Sequence, residues 1–150
     1  MKALTDYEKG YLEAVIDAEG SLTIRKLKAR KYRAGYEFSP MGFISNTNKL
    51  FLEKIKSIIG SGSIVVHQKY GSEKNYKPSF RYQFPRKILR ELLPQLNLIV
   101  KKRQKELVLR ALEITKGHKG LGRLLETREL ENLVIEIRHL NKRGLNSLLE

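Results

Sequence analysis

The sequence contains no cysteine, and this absence excludes several kinds of site. Without cysteine there is no disulfide framework, no zinc–thiolate centre and no thiol nucleophile. No apolar run approaches the ~18 residues that a membrane span needs, and the first ten residues are too polar for a signal peptide. We therefore expect a soluble intracellular protein with no membrane partner, in a compartment that the sequence does not specify.

Acidic residues are scarce relative to basic ones. The chain has 30 Lys and Arg against 16 Asp and Glu, a formal net charge of +14 at pH 7. The excess lies between residues 21 and 119, where 23 bases face six acids, whereas residues 1–20 carry a net −3 and residues 120–150 are neutral. Solubility needs a net charge of only about 2–8. A basic surface for a polyanion, above all nucleic acid, is therefore favoured over a merely solvated surface.

Length and hydrophobic period indicate the fold class. With 150 residues, 41% of them hydrophobic, the chain can form one sizeable core, and we expect a single domain over residues 1–150. The period predicts a helix, two strands, a helix, two strands and then further helices. This order predicts an α+β fold in which helices cover one face of an antiparallel sheet.

Capping residues and glycines predict where these elements begin and end. Thr5 to Glu8 has the pattern of a capping box that opens the first helix, and Gly20 is expected to end that helix. The later elements are predicted as strands over residues 21–30, 36–45, 63–70 and 79–84, and as helices from Asn48 to Gly60, from Pro85 to near Pro94, over about 101–115 and over about 124–140.

The first predicted helix ends in acids, against a general electrostatic preference. Asp17 and Glu19 lie in its last turn, where the helix dipole disfavours each acid by a few tenths to about 1 kcal/mol. A broken local rule is typical of a functional site, and a bound divalent cation would reverse the penalty. Two exposed acids at a frayed helix end are the alternative. Ala14 and Ala18 give the same helix a narrow face that another helix can approach closely.

The segment Leu12-Glu-Ala-Val-Ile-Asp-Ala-Glu-Gly20 resembles the motif that names the LAGLIDADG homing endonucleases. Glu19 stands at the final acid of that motif and Gly20 at its closing glycine, whereas Glu13 departs from its small residue. The resemblance extends in element order over roughly residues 5–115. It implies the family's αββαββα core with a saddle-shaped sheet, followed by C-terminal helices. Further matching segments are Ile44-Ser-Asn-Thr47, Gly60-Ser-Gly62 and Leu98-Ile-Val-Lys-Lys-Arg-Gln104.

This resemblance implies a divalent-metal-dependent DNA endonuclease of the kind that introns encode, with no small-molecule substrate. It implies that Glu19 and Gly20 bind Mg²⁺ or Mn²⁺ and that Lys101, with Lys102 as the second choice, is the pocket lysine. Asp17 is expected to cap or brace the helix interface rather than to bind metal. The family's water-orienting Gln has no counterpart in residues 41–44. Single-motif members work as homodimers, and the interface residues expected here are Tyr11, Ala14, Val15 and Ala18.

The resemblance also implies that the open face of the sheet reads double-stranded DNA. A two-stranded ribbon fits the major groove, and ten strand residues span about 33 Å, close to one DNA turn. A two-fold dimer would therefore recognise a long, near-palindromic site. A bulge or bend near Arg25 would carry the polar face of the first strand from odd to even positions. The residues expected on this face are Ser21, Thr23, Arg25, Lys26, Lys28, Arg30, Glu37, Ser39, His67, Lys69, Arg81 and Gln83, with Lys116 and Lys119 on phosphate from a loop.

Other functions remain open at this point. The same scaffold can be a catalytically inactive DNA binder or an RNA intron maturase, and a basic ribosomal-type structural protein is a third alternative. Glu19, Gly20 and Lys101 favour activity, because a pure binder does not need an acid facing a phosphate. The three histidines lack metal-ligand spacing, so a histidine-based nuclease site is not expected.

Overall fold

The computed structural model describes residues 1–30, 35–67, 78–116 and 124–142, without the side chains of residues 124 and 125. Within these ranges the chain forms five α-helices and four β-strands, together with a short 3-10 helix at Leu93–Gln95. The α+β class and the order of the elements agree with the sequence prediction. The helices are α1 (Asp6–Glu19), α2 (Lys49–Ile59), α3 (Arg86–Leu92), α4 (Lys102–Ile114) and α5 (Leu124–Leu140), and the strands are β1 (Gly20–Lys28), β2 (Tyr36–Asn46), β3 (Ser63–His67) and β4 (Ser79–Gln83).

The four strands form one sheet in the order β1-β2-β4-β3. The inner strand β4 pairs antiparallel with β2 on one side and with β3 on the other, so that Arg81 lies between Ser45 and Val65. Because side chains alternate along a strand, Arg81 shares one sheet face with these two residues. The buried Ile44 and Tyr82, also opposite each other, occupy the other face.

The chain divides into two compact units. Unit 1 comprises residues 1–22 and 41–102, and unit 2 comprises residues 23–40 and those from 103 onward. In unit 1, the ring of Tyr82 is fully buried and its hydroxyl donates a 2.7 Å hydrogen bond to the carbonyl oxygen of Ser61. Gly62 has φ +112°, and a Cβ there would lie 2.3 Å from the Tyr82 ring. The turn before β3 therefore requires glycine.

Unit 2 has its own core, formed by one face of its strand segments and by two helices. Two ion pairs link these helices, Arg103 Nε to Glu136 Oε1 and Arg110 Nε to Glu129 Oε1, both at 2.6 Å. They are exposed and contribute little stability, typically about 0–1 kcal/mol each. Burial of apolar side chains is therefore the main source of stability. The buried residues include Ile24, Phe38, Leu107, Val108, Leu112, Leu130, Val134 and Ile137.

Helix α1 begins and ends where the sequence predicts. The Thr5 side chain accepts a hydrogen bond from the Glu8 N–H while the Glu8 carboxylate accepts one from the Thr5 N–H, which completes the capping box. Gly20 ends the helix in an extended conformation, φ −77°, and not in the left-handed one. A Cβ on Gly20 would lie 2.7 Å from the carbonyl oxygen of Ile16. Close approach, rather than positive φ, therefore explains this glycine.

None of the helices described is both long and apolar enough to cross a membrane.

Candidate active site and nucleic-acid interface

Two acids of α1 bind the backbone of the turn that precedes α4. Asp17 accepts hydrogen bonds from the N–H groups of Ile99 (2.8 Å) and Lys101 (3.0 Å). Glu13 accepts one from the N–H of Asn97 (2.8 Å). The two carboxylates are one helical turn apart and therefore share a face of the helix. We name Glu13 and Asp17 the carboxylate clamp.

The environment of Asp17 favours its charged form. Desolvation by burial acts to raise the pKa of Asp17, but the hydrogen bonds from the Ile99 and Lys101 backbone lower it, and the resulting pKa lies below the usual value. Both carboxylate oxygens thus accept backbone hydrogen bonds. Asp17 was predicted to cap or brace the helix interface, whereas the structure shows its carboxylate bound to the backbone of residues 99 and 101.

The clamp brings the predicted pocket lysine to the end of α1. The Nζ of Lys101 donates a hydrogen bond to the backbone carbonyl oxygen of Asp17, two residues before Glu19. The Glu19 side chain is exposed, whereas Gly20 is buried and its N–H donates to the carbonyl of Ile16. Glu19, Gly20 and Lys101 are therefore gathered at one end of one helix. Lys102 is exposed at the start of α4.

The donors at this site are oxygens, which suit a hard divalent cation. Among the residues that the structure describes, no three Asp, Glu or His side chains form a group able to hold a metal. Magnesium is commonly bound by one or two carboxylates and completes its shell with water and substrate phosphate oxygens. The single exposed carboxylate of Glu19 fits such a site if phosphate and a second copy of the chain supply the remaining oxygens.

Another side of α1 presents an exposed stripe of small and aromatic residues. Tyr7 is 76% exposed, and its ring stacks on that of Tyr11 with 6.4 Å between centroids. Ala14 and Ala18 continue the stripe and are exposed, as predicted for an interface. The placement of Val15 on this face is wrong. Val15 is only 9% exposed, because its position on the helix turns it toward the core of unit 1.

In unit 1, polar and aromatic side chains alternate with buried ones on the strands. Arg81 places its guanidinium carbon 4.0 Å from the centroid of the Phe43 ring. Its Nε lies 3.3 Å from Ser45 Oγ and its Nη2 lies 3.4 Å from His67 Nε2. Arg81 and His67 were predicted on this face. Phe43 and Ser45 were missed, although alternation with the buried Ile44 was a signal that would have found them.

The remaining predicted sheet residues of unit 1 are Ser21, which is half-buried in β1, and Gln83, which is exposed at the end of β4. Gln83 lies opposite Phe43 on β2 and opposite Ser63 on β3. The sheet register therefore places Gln83 on the same face as Arg81. Lys69 lies outside the described residues.

In unit 2, the prediction for Lys26 is wrong. The alternation of β1 continues past Arg25 without the expected slip, so Lys26 follows Ile24 onto the face that meets α5. There its Nζ lies 2.7 Å from Glu131 Oε1 and 4.2 Å from the centroid of the Tyr36 ring. An anion and an aromatic face stabilise the lysine on this side, and the hydrophobic Leu27 is 44% exposed instead.

The other predicted residues of unit 2 are accessible. Arg25 is exposed on β1 between the buried Ile24 and the inward-facing Lys26, and Lys116 is exposed after the end of α4. Lys119 lies outside the described residues. Of the others, Lys28 and Arg30 are exposed, and Thr23, Glu37 and Ser39 are half-buried. Since β1 alternates without a slip, Lys28 shares the face of Lys26, and its predicted place on the open face is wrong as well.

Comparison with solved structures gives clear matches, whereas no protein-family model and no curated protein sequence matches the chain. The archaeal intron-encoded homing endonuclease I-Vdi141I, solved in complex with DNA, is 26% identical, with a TM-score of 0.77 over 93% of this chain and 87% of that one. The homing endonuclease I-CvuI, solved with a DNA target and Mg, is 19% identical, with a TM-score of 0.69 over 93% and 84%.

A third match differs in the share of the chain covered. The LAGLIDADG homing endonuclease I-SmaMI, bound to uncleaved DNA with calcium, is 21% identical, with a TM-score of 0.72 over 98% of this chain but only 49% of that one. At 21% and 19% identity, the likeness to I-SmaMI and I-CvuI shows the fold alone. The match to I-Vdi141I adds 26% sequence identity over most of both chains. With the Leu12–Gly20 motif at the head of this fold, the chain is similar to the LAGLIDADG homing endonucleases in both fold and motif.

Proposed function

We propose that this chain is a sequence-specific DNA endonuclease, which hydrolyses phosphodiester bonds in both strands of a long, near-palindromic site as a homodimer. The observation that carries the proposal is the hydrogen bond from Lys101 Nζ to the Asp17 carbonyl, two residues before the exposed Glu19 at the end of α1. An acid is disfavoured at a helix C-terminus. Its position beside a lysine held by the clamp supports a catalytic role.

The residues at this end of α1 have different roles at the scissile phosphate in this proposal. Glu19 and the backbone carbonyl of Gly20 would hold a divalent cation such as Mg²⁺ or Mn²⁺. When bound, such a cation activates water and stabilises the attacking and leaving oxygens. Lys101 supplies positive charge for the negative charge that develops on the phosphate. Asp17 keeps Lys101 in place by binding its backbone N–H.

A homodimer accounts for the exposed stripe of α1. Two copies packed along Tyr11, Ala14 and Ala18 would bring their two Glu19 residues near one two-fold axis, with one site for each DNA strand. The chain matches 87% of I-Vdi141I but only 49% of I-SmaMI. The second comparison supports the view that a second copy replaces the half of I-SmaMI that this chain does not match.

The basic strand residues supply the DNA-binding surface in this proposal. Arg25 in unit 2 and Arg81 in unit 1 each alternate with buried residues on their strands, which aims them away from the cores. Both I-Vdi141I and I-CvuI were solved with bound DNA. We assign the direct reading of base edges to these strands, and phosphate contact to Lys116, because base edges carry the sequence information and phosphates do not.

The test is cleavage of a randomised duplex library with and without Mg²⁺. The wild type is expected to cut a narrow set of near-palindromic sequences only when Mg²⁺ is present. Glu19→Gln is expected to bind the same sequences without cutting them, because it loses the charge of a metal ligand and keeps its shape. Glu53→Gln, which changes an exposed acid on α2, is the matched control and should cut like the wild type.

Other outcomes identify the alternatives. A wild type that selects a duplex sequence but cuts none of it with Mg²⁺ or Mn²⁺ is a DNA binder and not a nuclease. Full cutting by Glu19→Gln would show that the active site lies elsewhere. Preference for folded RNA over every duplex in the library would support the maturase alternative.

A further inference from the structure

The turn before α4 exposes two adjacent apolar side chains on a backbone that is held in place. Ile99 is 86% exposed and Val100 is 71% exposed, whereas Leu98 just before them is buried. We name Ile99 and Val100 the apolar tip. The backbone N–H groups of Ile99 and Lys101, on either side of Val100, both donate to the Asp17 carboxylate. At these exposures neither side chain of the tip contributes to the core of unit 1.

The apolar tip borders the exposed stripe of α1. Ala14 lies three residues before Asp17 and is therefore its neighbour on the helix surface, so the turn bound to Asp17 runs beside Ala14. Gly10, Ala14 and Ala18 follow one another at four-residue spacing. A Cβ on Gly10 would meet no atom of the described chain within 4 Å. A glycine inside a helix destabilises it relative to alanine, and packing within the described chain does not require this one.

The stripe of α1 by itself is too small for a stable homodimer. Helix α1 has 14 residues, so it is about 21 Å long and about 10 Å wide and offers a face of about 200 Å². A stable interface buries about 800 Å² on each partner. A homodimer along α1 therefore needs further surface beside the helix. The apolar tip provides such surface, and it is uncharged, as the buried core of an interface usually is.

We infer that a second copy of the chain covers the apolar tip, so that the turn over residues 97–101 belongs to the homodimer interface as well as to the candidate active site. This inference rests on the proposed function, since it assumes the homodimer. The turn that the partner covers also carries Lys101, whose Nζ donates to the Asp17 carbonyl. Formation of the dimer therefore stabilises the position of Lys101. By linkage, a change that loosens the turn weakens the dimer.

The first experiment measures the dimer dissociation constant by analytical ultracentrifugation for the wild type and for a double variant, Ile99→Ser with Val100→Ser. Each substitution occurs twice in a two-fold dimer, so the double variant should raise the dissociation constant at least about 100-fold. Ile135→Ser is the control. Ile135 is a similarly exposed apolar residue, 68%, on α5 in unit 2, and its loss should leave the dimer unchanged. Thermal melting shows that each variant is folded.

Amide hydrogen exchange tests the coupling to the candidate active site. The N–H groups of Ile99 and Lys101 should exchange more slowly as the protein concentration rises through the dissociation constant, because the partner then covers the turn. Asp17→Asn, which loosens the turn, should raise the dissociation constant at least about 5-fold. Glu53→Gln on α2 should not change it. Exchange at residues 99 and 101 that is independent of concentration would refute the coupling.

The possible failures can be distinguished. A wild type that stays monomeric, with and without DNA, contradicts the homodimer of the proposed function, and this inference fails with it. A double variant that dimerises like the wild type overturns this inference alone and leaves the proposed function standing. If that variant dimerises normally but binds duplex DNA more weakly, the apolar tip is a wedge between base steps and not a contact between copies.

Discussion

Asp17 accepts two backbone hydrogen bonds from residues 82 and 84 positions further along the chain. Backbone N–H groups that lose such a partner must find water or stay unsatisfied. One carboxylate therefore fixes both the backbone of the turn at residues 97–101 and the start of the Lys101 side chain. Glu13 does the same for Asn97. At the scale of single residues, the candidate active site therefore depends on two carboxylates that hold the backbone around Lys101 in place.

Asp17→Asn is expected to lower the free energy of unfolding at neutral pH. Hydrogen bonds to a charged group contribute about 1.5–3 kcal/mol. Because this carboxylate is partly exposed, we expect a loss of about 1 kcal/mol. The pKa of Asp17 is lowered in the folded state from an ordinary value of 3.8. The stability that its charge provides is therefore complete above that value and is lost as the pH falls below it.

Urea unfolding of wild type and Asp17→Asn at a series of pH values checks this expectation. The difference between them should be greatest at neutral pH and should shrink below about pH 4. A difference that stays constant into strong acid would show that the ionised carboxylate is not what stabilises the turn. Glu53→Gln, on the surface of α2, serves as the control and should show no comparable difference.

Single residues also show what sequence reasoning reaches and what it misses. Asp17 could be singled out from sequence, because an acid in the last turn of a helix breaks a local rule. That rule pointed to a bound cation, however, and not to the backbone contact that the structure shows. The role of Glu13 could not be predicted, since its partner, the Asn97 N–H, is 84 residues away. Lys26 was assigned to the wrong face for the same reason. Its ion pair with Glu131 joins residues 105 positions apart and leaves no local pattern.

Helix α1 has three sides, and each side has a different structural role. Leu12, Val15 and Ile16 are buried in unit 1, the carboxylate clamp holds the turn before α4, and the exposed stripe with Ala14 and Ala18 is free for a second helix. Small residues at four-residue spacing let helix axes approach closely. At the scale of elements, a single helix joins the core, the site and the proposed dimer.

Ala14→Leu and Ala18→Leu are expected to weaken the homodimer. Each adds three heavy atoms to a contact that depends on small side chains, and such overpacking costs about 1–3 kcal/mol per site. Analytical ultracentrifugation would measure the change in dimer dissociation. Ser57→Leu places the same leucine side chain at an exposed position of α2 and should leave the dimer unchanged. A dimer that is equally stable in all three variants would place the interface elsewhere.

Elements with local signals were predicted well. The capping box at Thr5 and the Asn48 cap, whose side chain accepts from the Phe51 N–H, involve neighbours three residues apart and can be seen in sequence. The face of β1 beyond Arg25 was predicted wrongly. Lys26, Lys28 and Arg30 occur at every second position. This is also the spacing of residues on an exposed strand face. Only the position of α5 shows that Lys26 lies on the opposite face.

At the scale of the whole molecule, the net charge of +14 predicts DNA binding that weakens strongly with salt. Arg25→Ala is expected to change base preference at one position in each half-site, with a loss of about 1–3 kcal/mol for the preferred base. Lys116→Ala should weaken all sequences alike and reduce the slope of log affinity against log salt by about 0.9. A panel of one-base-off duplexes at two salt concentrations measures both effects.

The two variants are controls for each other. Both remove one positive charge from an exposed residue of unit 2, so charge alone would change their binding equally. If Arg25→Ala weakens every duplex evenly while Lys116→Ala shifts base preference, the strands do not face the groove. The DNA would then have to lie along the helices.

The large sequence separation between the carboxylate clamp and the turn that it holds also determines the order in which the two are synthesised. Lys101 follows Asp17 by 84 residues, so at about 5–20 residues per second a ribosome makes Lys101 about 4–17 seconds later. A nascent chain that has just completed β2 already contains Glu19 and all the basic residues of the first two strands. It has neither the lysine nor the turn that the clamp holds. An unfinished copy of this protein therefore lacks part of the proposed site, and on this proposal DNA cleavage requires the chain to be made past residue 101.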